Sequence, residues 1–161
     1  MIKKEIGILL STLFLFSACT GQPKKEESAF IVLKTPSIKY ADMGFIRDTS
    51  SKLKVEMYAA GQPLVSIEVN GMNICMSTFE CMEKRDFNKK LLSQNYPDTL
   101  LENIFRANPI FDGENVEKKR DGFTQKIKKD ELYDITYTVI SGERKFRDTI
   151  NKILIKVREQ K

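Results

Sequence analysis

The stretch that most limits what this chain can become runs from residue 52 to residue 76. Leu53, Val55 and Met57 alternate with Lys52, Lys54 and Glu56, and Val65, Ile67 and Val69 then alternate with Ser66 and Glu68. Successive side chains of an extended strand point to opposite faces, so a period of two buries one face and wets the other. Ala60-Gly61-Gln62-Pro63 turns the chain between the two runs. Asn70-Gly71 follows, and that dipeptide between alternating runs is the strongest short-range hairpin signal, because both central positions of a type I′ turn need positive φ. Met72, Ile74 and Met76 continue the apolar face. The expectation is a three-stranded antiparallel meander whose apolar side the rest of the chain must cover.

The flanking sequence supplies more strands and one helical interruption. Ala29 to Leu33 is an apolar run ended by Pro36, and Ile38 to Ile46 is a looser strand broken by Gly44. At Ser77 the period changes: Ser77-Thr78-Phe79-Glu80 fits a capping box, with a helix expected to follow and to restart near Asp86, placing Phe87 and Leu91 on one face. A second helix has Pro97 in its first turn, a stripe of Leu100, Leu101, Ile104 and Phe105, and a stop at Asn108-Pro109. Residues 112–115 and 118–122 read as turn and charge clusters. Strands resume at Phe123 to Ile127, at Tyr133, Ile135, Tyr137 and Val139, and at Phe146 onward, where Ile153, Ile155 and Val157 point inward and Leu154 outward. The fold class is α+β, mainly antiparallel β: a sandwich or partly open barrel of seven or eight strands with a two-helix insertion at about residues 78–107.

The amino-terminal residues are of another kind. Lys3 and Lys4 form a short positive region, Ile6 to Phe16 an apolar one, and Ser17 and Ala18 are small enough for a signal peptidase. The apolar run is shorter than the ~20 residues that span a bilayer as a helix. Residues 1–18 are therefore expected to be a cleaved export signal. Residues 19–28, which are polar and include Pro23 and the charges of Lys24, Lys25, Glu26 and Glu27, read as a flexible tether of about 30 Å when extended. Residues 29–161 form one β-rich domain, with no room for a second.

Phe16-Ser17-Ala18-Cys19 resembles the lipobox of bacterial lipoproteins. The resemblance implies cleavage between Ala18 and Cys19, a diacylglyceryl group on the Cys19 sulfur and an acyl chain on its new amine. Thr20, in a position where Asp tends to retain such proteins in the inner membrane, implies sorting to the outer one. The alternative is an ordinary secreted protein with a cysteine at its cleavage site. From about Phe30 onward, Tyr96-Pro97, Asn103-Ile104 and Pro109-Ile110-Phe111 resemble small lipoproteins of epsilonproteobacterial type, a likeness that implies no activity.

Composition then narrows the chemistry. The chain contains no histidine, which removes imidazole general bases and His-based zinc sites. With the signal gone, 25 Lys and Arg face 21 Asp and Glu, a mildly basic balance. No binding-module motif points to nucleic acid, so the acidic partners to hand are anionic lipid and peptidoglycan. With Cys19 committed to lipid, Cys75 and Cys81 are the even remainder that an exported protein tends to pair. Cys75 leans away from the apolar face and Cys81 is expected in the first turn of a helix; the alternative is two reduced thiols. No metal ligand set or catalytic constellation stands out. Three functions remain open. The first is a non-enzymatic binding or scaffold module with an envelope protein partner, anchored on the outer membrane, its periplasmic or outer face undecided, for which Lys126, Lys128 and Lys129 offer a basic contact surface. The second is a carrier or sensor of a lipid-like apolar ligand held among Met57, Met72, Met76, Phe79 and Phe105. The third is a His-independent peptidoglycan hydrolase using a carboxylate pair or a Ser-Lys dyad.

Overall fold

A computed structural model describes residues 25–77 and 79–160. They form one antiparallel sheet of eleven strands and two short helices. The first six strands are β1 (Lys25–Lys34), β2 (Lys39–Asp48), β3 (Lys52–Ala59), β4 (Gln62–Asn70), β5 (Asn73–Met76) and β6 (Phe79–Glu83). Helices α1 (Lys84–Leu91) and α2 (Leu100–Phe105) and a 3₁₀ turn at Phe111–Gly113 follow. The chain closes with β7 (Val116–Lys119), β8 (Gly122–Lys129), β9 (Tyr133–Ile140), β10 (Glu143–Asp148) and β11 (Ile153–Glu159). Strands pair with their neighbours in sequence within β1 to β6 and within β7 to β11, and one non-local ladder, β1 with β11, joins the two halves into the order β6-β5-β4-β3-β2-β1-β11-β10-β9-β8-β7.

One face of this sheet is the core face. Ile31, Leu33, Val55, Met57, Ile67, Ile135, Tyr137, Phe146, Ile155 and Val157 are all but closed to solvent. The helical segment lies against that face: Phe87 and Leu91 of α1 and Leu100, Leu101, Ile104 and Phe105 of α2 belong to the same apolar cluster as both wings of the sheet. The expected helix stripe is therefore packing surface. Polar side chains fasten this crossing. Gln125, fully buried on β8, donates to the carbonyls of Ile110 (2.9 Å) and Glu114 (2.6 Å) and accepts from the Ile110 amide (2.8 Å). Asn88 donates to the carbonyls of Tyr96 and Pro97. Asp148, buried at the end of β10, accepts from the Tyr96 hydroxyl, from the amides of Asp134, Ile150 and Asn151, and from the Asn151 side chain.

The meander at residues 52–76 stands as expected, but its second turn is centred one residue on. Asn70 pairs with Asn73, so Gly71 and Met72 occupy the tip, and Met72 is 72% exposed instead of inward. The sheet is single and open, neither a sandwich nor a closed barrel, and has eleven strands where seven or eight were expected. Two of the extra strands replace other expectations. The helix start read at Ser77 is strand β6: the Ser77 hydroxyl accepts from the Ser66 amide of β4 (2.9 Å), and pairing to β5 takes the backbone groups a helix would have used. Lys118 and Lys119, read as part of a charge cluster, belong to edge strand β7. The body also begins earlier than expected, because Lys25 to Ser28 of the expected tether pair with β2 from Asp48 to Phe45. No helix among the described residues is long and apolar enough to cross a membrane.

Gly44 of β2 marks a close backbone approach in the sheet. A Cβ built there would stand 2.2 Å from the Glu56 carbonyl oxygen and 3.0 Å from Ile31 Cδ1. Gly44→Ala should destabilise the protein by about 1–3 kcal/mol, the usual cost of forcing atoms into packed structure. A urea unfolding midpoint equal to that of the wild type would contradict this.

Candidate functional site

The outer face of the sheet carries no core, so what it displays needs another explanation than packing. Registers place Phe30 of β1 opposite Met43 of β2, and Met43 opposite Tyr58 of β3. Phe45, two residues along β2 from Met43 on the same face, packs edge-on to Tyr58 with centroids 5.9 Å apart. Met43 is 40% and Phe45 36% exposed, which makes this a contiguous apolar patch. Two guanidinium groups close over it: Arg47 stands 5.6 Å from the Phe45 ring centre and Arg158 of β11 stands 5.9 Å from that of Phe30.

Arg47 is held in place from both sides. Its Nε donates to Glu26 of β1 at 2.8 Å, and its terminal nitrogen to Glu56 of β3, which also accepts from Lys54 at 2.8 Å. The hydrogen bond from Lys54, reinforced by Arg47, holds the Glu56 carboxyl below its ordinary value of 4.5. The hydrogen bond to Glu26 raises Arg47 further into its charged form. This network fixes the rim of the apolar patch.

A second polar feature is internal. Glu27 and Arg144 occupy core-facing positions on β1 and β10 and pair at 2.6 Å, with side chains 5% and 6% exposed. Glu27 Oε1 and one terminal nitrogen of Arg144 find no hydrogen-bond partner among the described residues. A buried pair satisfied on one side only carries a large desolvation cost. The hydroxyls of Tyr96 and Tyr137 are also internal, and burial holds both well above the ordinary tyrosine value, for Tyr96 with help from the Asp148 carboxylate.

Of the residues singled out by sequence, Ala18, Cys19 and Thr20 lie outside the described residues. Cys75 and Cys81 are brought together at disulfide distance, with sulfurs 2.05 Å and Cα atoms 4.0 Å apart. Cys81 lies on strand β6 and not in a helix, so the pair spans the β5–β6 hairpin. Lys126 and Lys128 share the outer face of β8, and Lys129 ends the strand. Met57, Met76 and Phe105 belong to the buried apolar cluster and Phe79 packs against it with Lys90 over its ring, while Met72 stands apart at its turn, so four of the five come together as packed core. Among the described residues no group of three or more His, Cys, Asp or Glu is placed to hold a metal ion. The aromatic patch was missed because its members belong to three strands. Its signal was apolar residues at outward positions, Phe30 and Val32 on β1 and Met43 and Phe45 on β2. No family model matches this chain, and no curated protein matches it.

Two outcomes follow for these groups. Arg144→Met, which strands the Glu27 carboxylate, should cost about 3–5 kcal/mol, whereas the double replacement Glu27→Leu with Arg144→Met should recover most of that loss; chemical denaturation of the three proteins checks it. Because the folded-state pKa of Glu56 is depressed, its contribution is complete above the unfolded-state value and disappears as pH falls through the folded one. The stability gap between the wild type and Glu56→Gln should therefore be widest near neutrality and close in acid, as read from melting temperatures across a pH series.

Proposed function

We propose that this chain is a lipid-anchored protein of the bacterial cell envelope, carried on the outer membrane by acyl chains on Cys19, whose β body is a non-enzymatic module that binds an envelope protein. The observation that carries the binding reading is the outer patch on β1 to β3. Aromatic residues, Met and Arg are the types enriched in protein interfaces, and Phe30, Met43, Phe45 and Tyr58 under Arg47 and Arg158 are such a set. Rings held under a guanidinium fixed by Glu26 and Glu56, as Phe45 is under Arg47, lose little side-chain entropy on docking, which suits them as anchors.

The anchor reading fits the position of β1. Five residues lie between Cys19 and Lys25, so a fully extended link reaches about 20 Å. β1 lies in the middle of the sheet, paired with β2 from Lys25 and with β11 from Ala29, so tension on the link falls on a central strand and not on an edge. In the same reading, the oxidising compartment keeps Cys75 and Cys81 as a disulfide that fastens edge strand β6 to β5. Closing so short a loop contributes roughly 2 kcal/mol on a chain-entropy argument.

The native protein should show a mature amino terminus at Cys19 with acyl mass attached. Mass spectrometry finding a terminus elsewhere, or no acyl mass, removes the anchor. Thiol titration of the denatured, unreduced protein should find no free sulfhydryl, and two would remove the disulfide. A photo-crosslinking residue at position 43 should give one discrete protein adduct in intact cells, while the same residue at 72, exposed but isolated, gives none. Equal labelling at the two positions would sink the patch as a binding surface.

A further inference from the structure

The two ends of β1 differ. The chain enters at Lys25, and at the other end Lys34 and the turn Thr35-Pro36 border an open depression of about 640 Å³ on the outer side of the sheet. Lys34, Lys39, Lys145, Arg147 and Lys152 line it together with Leu154 and Thr149. None of these five cations forms an ion pair among the described residues, whereas Lys156, opposite Lys145, pairs with Glu143 at 3.0 Å. Asp148, the one acid at the rim, faces inward and is engaged by Tyr96, Asn151 and three backbone amides, which leaves its charge committed to the turn.

The register makes the crowding specific. One row across the sheet reads Lys39, Lys34, Leu154, Arg147, Thr136, Lys126, each directly opposite the next. The adjacent row sets Lys145 directly opposite Lys156. Like charges facing each other across a ladder are destabilising, and the sheet places Lys34 directly opposite Lys39 at this concavity, while Lys145, also in its lining, faces a Lys156 that Glu143 neutralises. A plainly solvated face mixes the two signs. Here five cations converge unneutralised, with the exposed Thr149 and the half-buried Leu154 in the lining, while the buried Thr35 hydroxyl accepts from the Ser37 and Ile38 amides and holds the turn.

We propose that this depression is a binding site for a phosphate-bearing anion, with Lys34, Lys39 and Arg147 as its principal ligands and Lys145 and Lys152 closing the rim. Arg147 provides a planar fork that can grip two phosphate oxygens, and the lysines act as point charges around it. Leu154 accommodates a short carbon portion beside the anionic group. The inference deepens the binding-module reading by naming a ligand class, and rests on it for biological setting, but the site itself does not require the anchor. Its place at the end of β1 away from the link, about 30 Å along the strand, turns it from the point of attachment.

The test uses the full-length native protein in a non-ionic detergent at low salt. Inorganic pyrophosphate serves as the free anion, and dihexanoyl phosphatidylglycerol, with dihexanoyl phosphatidylcholine as its uncharged control, represents a lipid headgroup. Calorimetric titration should show saturable binding of at least one of the two anionic probes, weakened about tenfold or more in Lys34→Gln/Lys39→Gln/Arg147→Gln and by less than twofold in Lys118→Gln/Lys119→Gln on edge strand β7. Binding of pyrophosphate indicates a free or polymer-borne phosphate, and binding of phosphatidylglycerol alone a headgroup. The triple variant should melt no lower than the wild type, because it relieves repulsion. Absence of binding by both probes, equal binding by the triple variant, or equal loss in the β7 control would overturn the site. A protein that binds pyrophosphate yet carries no acyl group at Cys19 would overturn the anchor and leave the site standing.

Discussion

The ladder between β1 and β11 is the contact on which the rest of the architecture depends. Every other pairing in the sheet joins neighbours in sequence and could form as a local hairpin or meander. Only the register from Ala29 opposite Glu159 to Lys34 opposite Leu154 ties residues at the two extremes of the body. Without it there are two separate meanders, each with one apolar face and no second layer. With it, Ile31 and Leu33 lie beside Ile155 and Val157, and both wings present one concave apolar face to the same pair of helices. Closing so long a loop is entropically slow to repay, so this ladder should come late in folding, after the local hairpins have formed.

A sheet joined in its middle has its two edges at β6 and β7, and the chain connects them through the helical segment. That segment therefore solves two problems with one stretch. Its apolar stripe fills the concavity, and its polar anchors, Asn88, the Tyr96–Asp148 contact and the Gln125 clamp on Ile110, fix where it crosses. The edges are managed separately. β6 is short, exposed and tied to β5 at Cys75 and Cys81, and β7 is short and charged with Glu117, Lys118 and Lys119. Short, charged or fastened edges discourage pairing with another chain.

What the sequence disclosed follows from what alternation can and cannot encode. Strands with one buried face were legible: β3, β4 and β9 carry period two almost without exception, and the four-residue stripe of α2 is apolar throughout. The edge strands were not, because β6 and β7 bury neither face and have no pattern to read. Ser77 misled for a physical reason, since a hydroxyl that can cap a helix can equally take the amide of a neighbouring strand. Polar residues at inward positions, Glu27, Gln125, Arg144 and Asp148, interrupt the pattern where the structure needs a tie and not more apolar area. The outward Leu154 was visible in the alternation, but the cations around it come from positions 34 to 152 and meet only through the register.

The two faces of the sheet thus answer to different constraints. Inward positions are fixed by the requirement to fill one concavity, and almost any substitution there is felt as lost stability. Outward positions are released from that requirement, so a departure from mixed, paired charge on that side is informative in a way that an inward leucine is not. Two departures occur, and β1 runs through both: Phe30 lies in the aromatic patch nearer the entering end of the strand, and Lys34 lies in the cationic depression at its far end. A single central strand therefore carries a surface of interface character and a cluster of unneutralised charge along about 30 Å. That arrangement holds the two at a fixed separation, because β2 and β11 pair with the strand on its two sides.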